Sequence, residues 1–211
     1  MTVEGDGGRG LGILDRDRSV VVVIDLQDRL APLVHESPGV LDATRRLLQI
    51  AGLFEVPVIL TEQYPAGLGP TEPSIQAAFD ALPGPKRKVA KTRFSCCGDE
   101  GFEAALDDLL SGTEEDQRQV VLAGVEAHVC VMQTALELVN RGSQVYLCGE
   151  CVSGRGRTFR KWALDRMHQA GVVLTNHESA AFEWARDKDH PKFRDLNRLL
   201  REGQIGGDQD V

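Results

Sequence analysis

Six short apolar runs alternate with helical periodicity along most of the chain, and this alternation constrains the fold more than any other feature. The first run, Ser19-Val-Val-Val-Val-Ile-Asp25, is unbroken and β-branched, as expected for a strand covered on both faces. Repeated strand–helix alternation predicts an α/β protein, a three-layer α/β/α domain with a central six-stranded parallel sheet. The predicted strands span residues 19–25, 56–61, 87–91, 119–124, 144–148 and 171–175.

The length of 211 residues suits one domain with a sizeable core. We assign residues 19–202 to this domain. Residues 1–18, which are rich in Gly, Asp and Arg, are predicted to form a flexible N-terminal arm, and residues 203–211 a flexible C-terminal tail.

Composition excludes several classes of partner. A formal charge of -8 argues against nucleic acid or an anionic membrane, since both require clustered Lys and Arg. No apolar run approaches the roughly 20 residues of a membrane span, and the N-terminus lacks the apolar stretch of a signal peptide. Five cysteines in such a chain indicate a reducing, cytoplasmic location. A small-molecule substrate is the expected partner.

Three reactive side chains fall at the edge of the predicted sheet where parallel strands end and ligands bind. Asp25 ends the first strand, Lys91 ends the third, and Cys130 follows the fourth, where a helix begins. A helix N-terminus and a nearby ammonium both lower the pKa of a thiol, which would make Cys130 a nucleophilic thiolate. A carboxylate can take and return a proton. Each residue also has a structural interpretation, as a buried inert thiol, a helix cap or a solvated charge.

The order of these motifs is specific. Val20-Val-Val-Val-Ile-Asp-Leu-Gln-Asp28, Lys91-Thr-Arg-Phe-Ser95 and Gly124-Val-Glu-Ala-His-Val-Cys130 together resemble the isochorismatase-like cysteine hydrolase superfamily. Leu60-Thr-Glu-Gln-Tyr-Pro65 and His190-Pro-Lys-Phe193 are similar to its isochorismatase domain-containing branch. The resemblance covers nearly the whole chain and implies the six-stranded α/β/α fold predicted above.

The resemblance also implies a catalytic triad. Asp25 would be the general base, Lys91 the electrostatic partner of the sulfur, and Cys130 the nucleophile. A cis peptide bond between Val125 and Glu126 would direct the backbone N–H groups of Glu126 and Cys130 at the substrate oxyanion. Weaker expectations for the walls of the substrate pocket are Leu30, Gln63, Tyr64 and Phe94.

Two departures from family patterns narrow the expected function. Nicotinamidases of the superfamily carry zinc-binding histidines after the second strand, whereas residues 61–70 here contain none, so we expect neither a metal nor another cofactor. True isochorismatases often have a small residue in place of the cysteine, so Cys130 favours attack on an amide or carbamoyl carbon. The expected activity is hydrolysis of a C–N bond through a covalent acyl-enzyme, in a homo-oligomer.

Alternatives remain open at this point. Cys151-Val-Ser-Gly-Arg-Gly-Arg157-Thr158 fits the phosphate-binding loop of tyrosine-phosphatase-like enzymes, with Cys151 and Arg157 as the reacting pair. Cys148 and Cys151 have the spacing of a redox pair, although no second pair supports a structural zinc site. His128 could activate Cys130 instead of Asp25. The chain could also be a non-catalytic binding member of the family.

Overall fold

A computed structural model describes residues 12–202 and confirms the predicted three-layer α/β/α architecture. All six strands pair in parallel, in the order β3-β2-β1-β4-β5-β6. The strands are β1 Ser19–Ile24, β2 Val58–Gln63, β3 Lys86–Lys91, β4 Gln119–Val125, β5 Gln144–Ser153 and β6 Val173–Thr175.

Eight α-helices connect and follow the strands. They are α1 Ser37–Phe54, α2 Pro65–Leu68, α3 Pro73–Asp80, α4 Glu100–Leu109, α5 Met132–Arg141, α6 Arg157–Gln169, α7 His177–Ala185 and α8 Phe193–Glu202. Helices α1, α3, α7 and α8 contribute to the apolar core on one face of the sheet, and α4, α5 and α6 to the core on the other.

Strand β1 lies in the centre of the sheet, and its side chains are buried on both faces. Val21 and Val23 belong to one core cluster, whereas Val20, Val22 and Ile24 belong to the opposite one. Alternate side chains of a strand point to opposite faces, so an unbroken apolar run fills both cores. The candidate site therefore lies on a rigid, fully covered scaffold.

Strand register brings the polar strand ends together. Ile24, the last residue of β1, pairs with Thr61 of β2 and with Gly124 of β4. Gln63 at the end of β2 pairs with Lys91 at the end of β3. The carboxyl ends of four neighbouring strand segments thus meet at one edge, as the sequence predicted from topology.

Some predicted boundaries were wrong. Strand β5 continues to Ser153 instead of ending at Cys148, because a bulge opposite β4 accommodates extra residues. The sequence patterns also missed the two C-terminal helices, α7 and α8.

The predicted N-terminal arm is partly docked. Residues 1–11 and the predicted tail 203–211 lie outside the described residues. Leu14 is fully buried and its N–H donates to Glu183 of α7, so the domain begins earlier than residue 19. Within residues 12–202, no helix combines the length and apolarity needed to cross a bilayer.

One glycine controls how closely β1 and β4 approach each other beside the candidate site. Gly124 has φ +114, and a Cβ there would lie 2.0 Å from the carbonyl oxygen of Ile24. Both the positive φ and the close contact exclude any side chain. This position is therefore fixed by backbone packing between the two central strands.

We predict that Gly124→Ala destabilises the domain far more than Gly112→Ala. Gly112 also has a positive φ, but a Cβ there meets nothing within 4 Å, so it isolates the conformational cost of about 1–2 kcal/mol. The added clash at Gly124 should raise the loss of unfolding free energy to about 3 kcal/mol or more in urea titrations. Equal losses would contradict the close-approach argument.

Candidate active site

A buried ion pair joins the ends of β1 and β3. Lys91 Nζ lies 2.7 Å from Asp25 Oδ2, and both side chains are 0% exposed. Asp25 itself has φ +53, a left-handed conformation that Asp tolerates better than most residues. The pair therefore lies at the edge where parallel sheets bind ligands. The left-handed conformation of Asp25 is the kind of unusual backbone geometry that occurs at functional sites.

The hydrogen bonds around Lys91 hold its ammonium in place. Nζ donates to Gln63 Oε1 at 2.8 Å, and it lies 3.2 Å and 3.1 Å from the carbonyl oxygens of Arg93 and Phe94. Together with Asp25, these acceptors satisfy all three N–H bonds of the ammonium. A buried charge needs such compensation, so the position of Lys91 is strongly determined.

Cys130 follows β4 through a π-helical turn, Ala127–Val131, that leads directly into α5. The residue is 5% exposed and lies in the core cluster formed with α4, α5 and α6. Thr134 Oγ1 donates to the carbonyl oxygen of Cys130 at 2.8 Å and accepts from the N–H of Cys96. These contacts fix the backbone that carries the thiol.

The electrostatics of Cys130 differ from the expectation of a resting thiolate. Burial raises the pKa of the Cys130 thiol well above its ordinary range, and the Asp25 carboxylate raises it further through its charge and a side-chain hydrogen bond. The Lys91 ammonium lowers the pKa, but by less than these two effects. The predicted lowering of the pKa of Cys130 was therefore wrong. The Asp25 carboxylate lies within side-chain hydrogen-bonding reach of the Cys130 thiol.

The turn between β4 and Cys130 contains a cis peptide bond, Val125–Glu126. The carboxylate of Glu126 is bound to another segment. It accepts hydrogen bonds from the backbone N–H and Nε of Arg155, the latter at 2.9 Å. The side chain of Glu126 thus anchors the turn to the segment after β5. The backbone N–H of Glu126 is the group expected to face the substrate oxyanion.

The four predicted pocket residues are placed differently from one another. Gln63 is buried and binds Lys91, so it acts on the ion pair directly. Tyr64 and Phe94 are each 58% exposed near the ends of β2 and β3, where they can contact a ligand. Leu30 is partly buried against the core on the α1 side. The expectation of a pocket wall remains a prediction for all four residues.

The phosphatase interpretation of Cys151 fails structurally. Cys151 lies inside β5 with no exposed surface, and burial raises its pKa well above the ordinary range. Arg157 is exposed at the start of α6 and contacts His35 and Glu36 instead of the sulfur. No cradle of the kind that binds a phosphoryl group is formed by this segment.

His128 is engaged in packing near the site. Its ring stacks against Phe159, with ring centroids 5.1 Å apart, and its Nε2 lies 4.0 Å from Glu126. A Cβ at Gly154 would come within 2.9 Å of His128 Nδ1, so the ring also covers that glycine. These contacts favour a structural role for His128 over activation of Cys130.

Two residues that position the groups around the ion pair were not predicted from the sequence. Thr61 Oγ1 donates to Asp25 Oδ1 at 2.7 Å, and the side chain of Gln27 exchanges hydrogen bonds with the backbone of Gln63. A usable signal existed for Thr61, because it is a polar residue near the end of an apolar strand next to β1. Gln27 could not be recognised from the sequence, because its role depends on how the chain turns after β1.

Comparison with known proteins gives the family. A family model of the isochorismatase domain matches residues 19–179. The isochorismatase domain-containing protein 1 of Danio rerio is 37% identical over 191 residues, which are 90% of this chain and 64% of that protein. The chain therefore spans less than two thirds of that relative's length.

Solved structures show the same fold. The MAR1 ribonuclease of Caenorhabditis elegans is 31% identical, with a TM-score of 0.80 and coverage of 95% of this chain and 100% of its own. YcaC of Pseudomonas aeruginosa, solved with hexane-2,5-diol and covalent acrylamide, is 25% identical with a TM-score of 0.75, over 90% and 96% of the two chains. YcaC of Escherichia coli, an octameric hydrolase of unknown specificity, is 26% identical with a TM-score of 0.73, over 90% and 96%.

The three-layer fold, with its polar cluster at the carboxyl edge of the sheet, defines the class of isochorismatase-like α/β hydrolases. This class was expected from the motifs, and the family match extends across most of the domain. The chain belongs to the isochorismatase family.

We predict that Lys91→Ala lowers the free energy of unfolding by about 3–5 kcal/mol, since it leaves the Asp25 carboxylate buried without its partner. Lys161→Ala is the control, because Lys161 pairs with Asp165 at the surface and should cost less than about 1 kcal/mol. Combining Lys91→Met with Asp25→Asn should recover part of the loss. Similar urea midpoints for the two alanine variants would contradict the importance of the buried pair.

Proposed function

We propose that this protein is a cysteine hydrolase that cleaves a C–N bond of a small amide- or carbamoyl-type molecule through an acyl-enzyme on Cys130. The observation that carries the proposal is the contact of the Cys130 thiol with the Asp25 carboxylate, whose charge Lys91 balances 2.7 Å away. A nucleophile, a base and an orienting cation are the parts that acyl transfer needs.

The proposed reaction proceeds in two halves. Cys130 Sγ attacks the acyl carbon while the thiol proton passes to Asp25, and the backbone N–H groups of Glu126 and Cys130 donate to the oxyanion. The C–N bond then breaks as Asp25 returns the proton to the nitrogen, and the amine or ammonia leaves. Water attacks the thioester carbon while one of its protons passes to Asp25. The C–S bond then breaks, the sulfur takes that proton back from Asp25, and the acid is released.

A base mechanism agrees with the electrostatics better than a resting thiolate does. Because burial and Asp25 raise the pKa of Cys130, the free enzyme keeps the proton on sulfur until an acyl carbon is in place. Lys91 then compensates the charge that moves between Asp25 and the substrate. Its fixed hydrogen bonds mean that little reorganisation is needed during the reaction.

Two observations bear on the nucleophile and on metal use. A relative, YcaC of Pseudomonas aeruginosa, was solved with covalent acrylamide, which alkylates nucleophiles such as thiols through its alkene, so it supports a reactive nucleophile and does not identify the substrate. The segment after β2 lacks histidine, and its carboxylate, Glu62, already accepts hydrogen bonds from Thr71 and pairs with Lys88. We therefore infer chemistry by protein side chains alone.

Ribonuclease activity is the competing function, because a similar structure from Caenorhabditis elegans carries that name. The formal charge of -8 disfavours it, since binding a polyanion requires Lys and Arg to neutralise phosphates. A single-stranded RNA therefore belongs among the substrates to be tested.

The role of Asp25 is tested by two opposite effects of one substitution. Asp25→Asn should lower the pKa of Cys130 and so accelerate alkylation by iodoacetamide at neutral pH, because the neighbouring negative charge is gone. The same variant should lose about 100-fold or more in turnover, because the base is missing. Asp165→Asn, at the surface, should change neither rate. Parallel losses of alkylation and turnover would contradict the proposed base.

The substrate class is tested by profiling the protein against primary amides, carbamates, hydroxamates, an aryl phosphate and a single-stranded RNA. We expect turnover of a C–N substrate and an acyl adduct that mass spectrometry maps to Cys130. Cys130→Ala should abolish both, whereas Cys151→Ser should retain them. Cleavage of RNA alone would favour the ribonuclease, and ligand binding without turnover would favour a non-catalytic member of the family.

We also propose a homo-oligomeric assembly and a cytoplasmic location. The octameric YcaC of Escherichia coli is compatible with the homo-oligomer expected from the sequence, and the five cysteines are free, as a cytoplasmic location requires. Light scattering at micromolar concentration should give a mass several times that of the 23.1 kDa chain. A monomeric mass would reject the oligomer.

A further inference from the structure

The bulge in β5 brings two cysteines to the same side of the sheet. Leu122 of β4 pairs with Leu147, and Gly124 pairs with Val152, so two steps along β4 correspond to five along β5. In a regular strand, residues three apart face opposite sides. Because of the bulge, Cys148 and Cys151 both belong to the core cluster on the α1 side.

A carboxylate completes this group. The sulfur atoms of Cys148 and Cys151 and a carboxylate oxygen of Glu150 all lie within 4.8 Å of one another. Both cysteines are fully buried, whereas the Glu150 side chain is 32% exposed. Glu150 Oε1 is 2.6 Å from both the backbone N and Nδ1 of His177, the first residue of α7.

A buried hydroxyl from a third element points at the same group. Thr44 of α1 is fully buried, and its Oγ1 has no hydrogen-bond partner within residues 12–202. The hydroxyl lies beside Cys151. A buried hydroxyl without a partner marks a place where a bound ion or its water is expected.

The group is separate from the candidate active site and open to solvent on one side. Cys130 lies in the core cluster on the opposite face of the sheet. A surface cavity of about 230 Å³ is lined by Glu150 together with Glu36 and Arg160. An ion could reach the carboxylate through this cavity without passing the site of hydrolysis.

We propose that Cys148, Glu150 and Cys151 bind a structural Zn²⁺ ion, with His177 holding the carboxylate by its hydrogen bond. Tetrahedral zinc with bonds of about 2.3 Å to sulfur and about 2.0–2.2 Å to oxygen places its ligand atoms about 3.4–3.8 Å apart, inside the 4.8 Å within which the three ligand atoms lie here. Each thiol releases its proton to solvent as its sulfur binds the metal. Water occupies the fourth position.

This assignment revises the expectation from sequence, where the absence of a second cysteine pair argued against structural zinc. The third ligand, Glu150, comes from inside the pair and is held by His177, and only the bulge reveals that these groups meet. Through this hydrogen bond the ion would tie β5 to the start of α7. Thiolates suit zinc better than Mg²⁺ or Ca²⁺.

The test uses the full chain carrying Cys130→Ala, so that the thiol of the candidate active site cannot bind metal. We expect a single zinc ion per chain by inductively coupled plasma mass spectrometry. After chelation, added Co²⁺ should produce an intense near-ultraviolet thiolate-to-cobalt absorption, and added Zn²⁺ should raise the Tm. Cys148→Ser and Cys151→Ser should abolish the absorption, whereas Cys97→Ser, another fully buried thiol, should retain it.

Two further variants keep the test decisive if the cysteine variants fail to fold. Glu150→Gln and His177→Asn change partly exposed side chains and should weaken zinc binding by about 10–100-fold. Three results would overturn the proposal: free thiols that take up no zinc or Co²⁺, a Cys148–Cys151 disulfide detected by mass, or cobalt absorption that survives in both cysteine variants.

Discussion

The buried ion pair between Lys91 and Asp25 is the interaction on which the rest of the site depends. Two charges without solvent exposure are tolerated only when each is fully compensated, and here the strand ends, Thr61 and Gln63 supply that compensation. The central sheet therefore does more than form a core. It fixes the Asp25 carboxylate beside the Cys130 thiol at the carboxyl edge of the sheet.

The sequence predicted the frame of this arrangement well. The β-branched run before Asp25 indicated a central parallel strand, and parallel topology placed Asp25, Lys91 and the segment before Cys130 at one edge. Motif order then gave the family, which the match over residues 19–179 confirms. These features succeed because they depend on local periodicity and on the direction of strands, both of which are visible in the chain itself.

Other features could not be predicted because they depend on distances between segments. The pKa of Cys130 is a balance among burial, Asp25 and Lys91, and residue types alone give the sign of each contribution but not the sum. Gln63 was assigned to the pocket because nothing local shows that its amide faces Lys91. The β5 bulge was missed since Gly149 and Glu150 interrupt the apolar run, which favours ending the strand at Cys148.

The central claim is that Cys130 is a neutral thiol before substrate binds and that Asp25 is the group proposed to take its proton. It is tested most directly by titrating the ultraviolet thiolate absorbance of the native protein and subtracting the titration of Cys130→Ser. The account predicts no thiolate signal from Cys130 through neutral pH, and a signal at lower pH once Asp25 is replaced by Asn. A full thiolate signal from Cys130 at neutral pH in the unmodified protein would contradict it.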